Sequence, residues 1–201
     1  MSEHIDTRIE DRILKVTINR AGKKNALDLA MYQALADAIQ NADKDDDVRV
    51  TIISGVDDCF CSGNDIKDFL KNPPTDDSSP VLQFVRAMIN AEKPIVAAVN
   101  GIAIGIGVTM LLHCDLVYAS EDARFQMPFV NIGLCPEAGS THILPLFMGH
   151  QKASELLLLG DMFDVNTAIS VGIVNNKVSN AELGNVSLQA ATRIAAQPPQ
   201  A

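Results

Sequence analysis

One apolar stretch, residues 93–115, constrains the fold of this chain more than any other segment. It reads Lys-Pro-Ile-Val-Ala-Ala-Val-Asn-Gly-Ile-Ala-Ile-Gly-Ile-Gly-Val-Thr-Met-Leu-Leu-His-Cys-Asp, with no ionisable side chain between Lys93 and His113. The β-branched run at 95–99, which ends at Asn100-Gly101, predicts a buried strand followed by a turn.

The second half of the stretch predicts a helix over about 106–113 that starts directly after Gly105. The first N–H groups of a helix have no partner within the helix, and the helix dipole favours negative charge beside them. The turn before the helix is therefore a candidate anion-binding site. Because the stretch holds no acid or base, any such group must come from another part of the chain.

Strands alternate with helices along the first two thirds of the sequence, which favours an α/β fold. The other predicted strands are 5–9 and 13–19, which form a hairpin, 48–54 and 116–119. The other predicted helices are 29–42, 81–91, 139–148, 151–159, 165–171 and 181–195, with a short apolar run at 172–178. Residues 72–80 contain three prolines and predict an irregular loop.

Composition excludes several classes of function. The net charge of -9 and pI near 4.8 disfavour broad binding to nucleic acid or an anionic membrane, although Arg20, Lys23 and Lys24 could form a local basic patch. No apolar run is long enough to predict a membrane span, and the N-terminus has no signal-peptide core. The four cysteines lack paired metal spacing, so we expect reduced thiols, no metal and a cytoplasmic location.

Four linked motifs resemble the crotonase (enoyl-CoA hydratase/isomerase) superfamily in order and spacing. They are Asn-Arg at 19–20 with Asn-Ala-Leu at 25–27, Phe-Cys-Ser-Gly-Asn-Asp-Ile at 60–66, Ala-Ala-Val-Asn-Gly at 97–101 with the glycines at 105 and 107, and His-Cys-Asp at 113–115. The resemblance implies a spiral of ββα units over residues 1–180. Residues 181–201 would begin a C-terminal helical trimerisation region, which looks truncated here. The resemblance also implies acyl-CoA thioester substrates, no separate cofactor, and a homotrimer or dimer of trimers.

The family stabilises a thioester enolate with two backbone N–H groups, and the matching positions here are Asn64 and Ile106. Backbone donors place no demand on the side chain, whereas Gly63 and Gly105 would allow close approach of the ligand. The alternative role for these glycines is helix-to-sheet packing alone.

The catalytic acids distinguish reactions within the family. At the two positions that hold the glutamates of hydratases, this sequence has Thr109 and Phe129, so hydration by that mechanism is disfavoured. Glu137 matches the single acid of the Δ3,Δ2-enoyl-CoA isomerases. The resemblance therefore implies that Glu137 acts as both base and acid here. The alternative for Glu137 is that it is a solvated loop carboxylate. For His113 and Asp115, the alternative to catalysis is helix capping. His142 is a minor candidate partner of Glu137.

The resemblance also implies the residues that bind the substrate. Contacts with CoA are expected from Lys23, Lys24, Ala26, Ser62, Gly63, Asp65, Ile66 and Gly105. The acyl pocket is expected at Met127, Phe129 and Leu134, with residues 72–80 as a flexible rim. Two other readings stay open: a different reaction of the family, such as hydration, hydrolysis or decarboxylation, and an acyl-CoA-binding protein without catalysis.

Overall fold

Two β-sheets organise the chain, whose computed structural model describes residues 2–74 and 76–199. The larger sheet has the spatial order β1-β2-β3-β5-β7-β10, in which β1 and β2 form an antiparallel hairpin and the other neighbours are parallel. Its strands are β1 (Ile5–Glu10), β2 (Ile13–Ile18), β3 (Val50–Gly55), β5 (Ile95–Val99), β7 (Leu116–Ser120) and β10 (Asn176–Val178).

The smaller sheet has the order β4-β6-β8-β9, with parallel pairing except between β8 and β9. Its strands are β4 (Cys59–Cys61), β6 (Ile102–Ile104), β8 (Arg124–Gln126) and β9 (Phe163–Asp164). Strands β3, β5 and β7 of the larger sheet are each followed by one strand of the smaller sheet and then by a helical segment. This repeat confirms the predicted α/β spiral of ββα units.

Eight α-helices complete the fold among the described residues. They are α1 (Leu29–Lys44), α2 (Ile66–Lys71), α3 (Pro80–Ile89), α4 (Ile106–Thr109), α5 (Ser140–Met148), α6 (His150–Leu159), α7 (Val165–Ser170) and α8 (Asn180–Ala195). The side chain of Asp28 caps α1 by accepting a hydrogen bond from the N–H of Met31 at 2.9 Å. Over the stretches that the structure describes, none of these helices has the length and apolarity needed to cross a membrane.

The core has two parts, one on each face of the larger sheet. The main cluster lies between the two sheets and the helices α1 and α3, and it includes Tyr32, Phe60 and Phe84. On the opposite face, Ala191 of α8 packs against Ile13 and the neighbouring strands. Strand β5 is buried along its whole length, as expected for a parallel strand covered on both faces.

Most predicted elements are confirmed, whereas the smaller sheet and α2 were not predicted. The predicted helix at 106–113 is α-helical only as far as Thr109 and continues as a 3₁₀ helix from Met110 to His113. The predicted loop at 72–80 contains Thr75, which lies outside the described residues, and it ends where Pro80 starts α3. The division of the chain at residue 180 stays a prediction.

Candidate active site

Two glycine turns lie side by side at the edge of the smaller sheet. The first follows β4 and contains Gly63, and the second follows β6 and contains Gly105. Since β4 and β6 are parallel neighbours, their carboxyl ends meet at the same edge. A Cβ atom added to Gly105 would lie 3.9 Å from the Cα atom of Gly63, so the two turns are in direct contact.

Each turn needs glycine for its backbone conformation. Gly63 has φ 98° and Gly105 has φ 58° with ψ -119°, which are conformations that side chains with a Cβ rarely adopt. A Cβ atom at residue 63 would also approach the carbonyl oxygen of Ile104 to 3.2 Å. The turns are therefore shaped by backbone geometry rather than by packing alone.

The two backbone N–H groups after these glycines are available to a ligand. The turn containing Asn64 is fixed on both sides, because Leu27 donates to the Gly63 carbonyl at 2.8 Å and accepts from the Asp65 N–H at 2.8 Å. Among the described residues, neither Asn64 nor Ile106 donates its backbone N–H to a protein acceptor. Ile106 is the first residue of α4, where an unpaired donor is expected.

Among the described residues, Glu137 is the one acidic residue that lines the same cavity as Asn64 and Ile106. Its Oε1 atom is buried and has no hydrogen-bond partner among the described residues. Burial raises the pKa of Glu137 to about 7, because an apolar setting disfavours the charged form. Burial also raises the pKa of the nearby Cys61 thiol to about 12, which makes Cys61 a poor acid or nucleophile.

The loop that carries Glu137 is held by local hydrogen bonds. The Ser140 hydroxyl donates to the Glu137 carbonyl oxygen at 2.6 Å, and His113 Nε2 lies 2.8 Å from the Ala138 carbonyl oxygen. Ala138 adopts φ 54°, an uncommon conformation for a residue with a Cβ. His113 thus has a structural contact, and Asp115 likewise accepts from the Ile95 N–H at 2.8 Å.

One cavity of about 420 Å³ brings the predicted catalytic groups together. Asn64, Ile106 and Glu137 all line it. The other predicted site residues along its wall are Ser62, Gly63, Ile66, Gly105, Phe129 and Leu134. Pro74 of the predicted rim at 72–80 also lines the cavity. Further apolar residues come from α2, α3 and a loop and were not predicted: Phe69, Val81, Leu82, Val85 and Ile132. The cavity is thus mostly apolar, with few polar groups at one end.

Three residues discussed in the sequence analysis lie outside the cavity lining: Met127, which was predicted to line the acyl pocket, Thr109, which replaces a hydratase acid, and His142. Met127 is fully buried in the core and does not line the cavity, contrary to the predicted placement. Strand alternation explains this, because Met127 lies two residues after the core residue Phe125 and shares its face. Thr109 is fully buried with an unpaired hydroxyl, and His142 is exposed outside the cavity lining.

Of the predicted CoA residues, Lys23 and Asp65 line a second hollow, with a volume of about 390 Å³. Ser62, Gly63, Ile66 and Gly105 line the first cavity instead, and Lys24 and Ala26 line neither of the two. Arg20 also lines the hollow, and it binds Asp65 at 2.9 Å and the Ala26 carbonyl oxygen at 2.9 Å. Lys23 lines the hollow, and the neighbouring Lys24 is exposed. The Asp65 carboxylate is therefore engaged with Arg20 rather than free.

Two further lysines at this hollow were missed by the sequence analysis. Lys67 and Lys71 line it from α2, one helical turn apart. Their spacing of four residues would have indicated a shared helix face, but the helix itself was not predicted.

Comparison with known proteins identifies the family of this chain. A family model described as Enoyl-CoA hydratase/isomerase matches residues 8–201. The chain is 40% identical to enoyl-CoA delta isomerase 2 of Rattus norvegicus over 171 residues, which cover 82% of this chain and 44% of that protein. It is 33% identical to 2,3-dehydroadipyl-CoA hydratase of Escherichia coli, covering 100% of this chain and 79% of that protein.

Solved structures agree with this assignment. The structure of Pseudomonas aeruginosa OdaA superposes with a TM-score of 0.96 at 47% identity, covering 99% of this chain and 81% of that chain. The chain spans about half the length of the mammalian delta isomerases that it matches, 44% and 56% for the rat and mouse proteins.

Proposed function

Because the chain belongs to the enoyl-CoA hydratase/isomerase family, we propose that it is a Δ3,Δ2-enoyl-CoA isomerase. The observation that carries this proposal is the Glu137 carboxylate, whose buried Oε1 atom is unpaired, in the same cavity as the free N–H groups of Asn64 and Ile106. Relatives named enoyl-CoA delta isomerase support it.

The proposed reaction needs one base and one anion site. The thioester acidifies the proton on C2, and the Glu137 carboxylate removes it. The released electron pair is delocalised over a dienolate, whose oxygen accepts hydrogen bonds from the Asn64 and Ile106 N–H groups. Protonated Glu137 then returns the proton at C4, so that the double bond moves from C3–C4 to C2–C3 and Glu137 regains its starting state.

The pKa of Glu137 suits both steps. A pKa of about 7 keeps a substantial fraction of the group deprotonated at neutral pH and still allows the protonated form to act as an acid. Two backbone donors contribute strongly to such reactions, since removing one typically lowers the rate by about 10²- to 10³-fold.

The surroundings of Glu137 favour isomerisation over hydration. Phe129 occupies one hydratase acid position and is part of the cavity wall, and Thr109 occupies the other and is buried outside it. Neither residue can deprotonate a water molecule at neutral pH. An apolar wall also accommodates a fatty acyl chain and excludes water from the dienolate.

The CoA part is proposed to lie over the second hollow. Lys23, Lys67 and Lys71 would attract its phosphates by charge, while the exposed Lys24 lies next to them in sequence. Assembly as a homotrimer or dimer of trimers, the absence of a separate cofactor and a cytoplasmic location also remain proposals. One relative is named peroxisomal and another mitochondrial.

A direct assay tests the function. Purified protein given a 3-enoyl-CoA should form the 2-enoyl-CoA, measured by chromatography of the thioesters. Glu137→Gln should lower kcat by about 10²- to 10⁴-fold and leave CoA thioester binding nearly unchanged. Glu121→Gln, which alters an exposed carboxylate in a turn, is the matched control and should retain full activity. Unchanged turnover in Glu137→Gln would refute the assignment.

Hydration is the second candidate, because one relative covering the whole chain is named a hydratase. The same chromatography separates the two reactions when a 2-enoyl-CoA is supplied. Formation of 3-hydroxyacyl-CoA faster than double-bond migration would favour hydration.

A further inference from the structure

Tyr32 makes a buried contact with the anion site that the proposed mechanism does not use. Its hydroxyl donates to the Oδ1 atom of Asn64. Tyr32 is 1% exposed, and its ring packs against Phe84 with 5.6 Å between the ring centroids. The phenol is therefore held in place by α1 and α3 and does not itself reach the cavity wall.

This hydrogen bond fixes the orientation of the Asn64 carboxamide. Asn64 lines the cavity, but its Oδ1 atom is directed to Tyr32. Its Nδ2 atom donates to no protein acceptor within the described part of the chain. Nδ2 is also absent from the buried atoms that lack a partner. The amide N–H₂ group is consequently accessible and has its donors free.

The backbone of Asn64 is fixed independently of Tyr32. Leu27 binds the turn on both sides of Asn64, and Ser62 donates to the Lys24 carbonyl oxygen at 3.2 Å. Loss of the Tyr32 hydroxyl would therefore free the side chain of Asn64 while the backbone N–H stays in place.

We propose that the Asn64 carboxamide is a side-chain donor to the reacting end of the acyl-CoA and that Tyr32 is the residue that positions it. This inference rests on the proposed function for its reaction. The Asn64 Nδ2 group would add a third hydrogen bond beside the two backbone N–H groups. Burial, followed by the negative charge of Glu137, raises the pKa of Tyr32 well above its usual value, so the phenol stays protonated as a donor.

The test is a double-mutant cycle on the full chain. Tyr32→Phe should lower kcat by about tenfold with KM nearly unchanged, as expected for a misplaced hydrogen bond. Asn64→Ala should lower kcat at least as much. In the Asn64→Ala background, Tyr32→Phe should have no further effect on kcat, because its action passes through the carboxamide. Asn64→Asp should be more harmful than Asn64→Ala, since a carboxylate would repel the enolate.

Two controls separate positioning from folding. Tyr118→Phe alters the other tyrosine of the chain, which packs against the core cluster under α8, and it should leave kcat unchanged. Thermal unfolding of Tyr32→Phe should stay within a few degrees of the wild type. If Tyr32→Phe matches the wild type in kcat, or lowers kcat equally in the Asn64→Ala background, the inference is overturned.

A binding readout distinguishes failure of the inference from failure of the proposed function. Acetoacetyl-CoA forms an enolate whose near-ultraviolet absorbance reports stabilisation by the site without turnover. Tyr32→Phe and Asn64→Ala should weaken that band, and Tyr118→Phe should not. If the wild type binds the enolate but isomerises no 3-enoyl-CoA, the proposed function fails while the band still decides the role of Tyr32. A wild type that shows neither turnover nor the enolate band contradicts both.

Discussion

At the residue scale, the protonation of Glu137 is controlled by its apolar surroundings. Burial raises the pKa of Glu137 to about 7, and its buried Oε1 atom receives no hydrogen bond from the described residues that would stabilise the negative charge. Because the proposed reaction starts with the carboxylate, activity should follow the deprotonated fraction.

The pH profile of activity follows from this pKa. We expect kcat/KM for a 3-enoyl-CoA to rise through pH 7 to a plateau near pH 8. At pH 5 only about 1% of Glu137 would be deprotonated, so kcat/KM should be about 50- to 100-fold below the plateau. Initial rates in buffers of constant ionic strength measure the profile. A flat profile between pH 5 and pH 8 would contradict the role of Glu137, and Glu121→Gln should reproduce the wild-type curve.

The same pKa predicts how stability changes with pH. The carboxyl group binds its proton more tightly in the folded state than in the unfolded state, from the usual 4.5 to about 7. The folded state is therefore favoured below the unfolded pKa and loses stability as pH rises toward the folded pKa. Between pH 5 and pH 8 this loss is about 2 to 3 kcal/mol.

Glu137→Gln removes that titration. Its free energy of unfolding relative to the wild type should increase by about 2 to 3 kcal/mol between pH 5 and pH 8. Urea unfolding of both proteins at the two pH values measures the difference. A difference independent of pH would show that Glu137 is not desolvated in the folded protein.

At the element scale, the contact between α4 and β4 depends on a glycine. A Cβ atom on Gly107 would lie 2.4 Å from the carbonyl oxygen of Cys61, which is backbone and has little room to move. We expect Gly107→Ala to destabilise the fold by several kcal/mol and to lower activity, because the clash would push α4 and its N-terminal donor away from the first turn. Thermal unfolding and the isomerase assay measure both effects.

Gly184 provides the matched control for that substitution. It lies in α8, and a Cβ atom there would meet no atom within 4 Å. Gly184→Ala should therefore stabilise the protein by about 0.5 to 1 kcal/mol through helix propensity. If Gly107→Ala and Gly184→Ala have the same free energy of unfolding, the close approach of α4 and β4 is not what makes position 107 sensitive to an added Cβ atom.

The elements differ in how well the sequence predicts them. Strands β3 and β5 are β-branched runs of five or six residues with clear boundaries, and the helix α1 has a regular apolar repeat and a capping Asp28. Strands of two or three residues, such as β4 and β9, are too short for a period to be recognised. They form because neighbouring turns of the spiral supply their hydrogen bonds. A short window of sequence does not contain those neighbouring strands, so it cannot predict the pairing.

The residues of the candidate site also differ in how well the sequence predicts them. Asn64, Ile106 and Glu137 could be proposed from motif resemblance, and the structure places all three along one cavity. Tyr32 was missed because its position in the α1 repeat identifies it only as a core residue. Its hydroxyl contact with Asn64 joins α1 to the turn after β4, so it is a property of tertiary structure.

At the scale of the whole molecule, α5 and α6 present large apolar side chains to solvent. Leu146, Phe147 and Leu158 are 72%, 50% and 68% exposed, and Leu159 and Met162 are also exposed. A patch of this kind is typical of a subunit interface. It provides a physical reason for the predicted trimer.

The oligomeric state is therefore open to a direct test. The chain should sediment as a trimer or hexamer, and the double variant Leu146→Glu with Phe147→Glu should shift it toward the monomer, because buried charges oppose association. Ile89→Glu, at an exposed apolar residue at the end of α3, should not change the sedimentation. A wild-type chain that sediments as a monomer would contradict the prediction.

The two glycine turns belong to successive units of the spiral, and this has a consequence for the timing of folding. During synthesis, the first proposed donor emerges at residue 64, the second at residue 106 and the proposed acid at residue 137. Since no single unit contains all three groups, we expect a nascent chain to gain the ability to bind an enolate only after three units have been made and stacked. Recovery of activity after denaturation would then report the last assembly step rather than the first collapse of the chain.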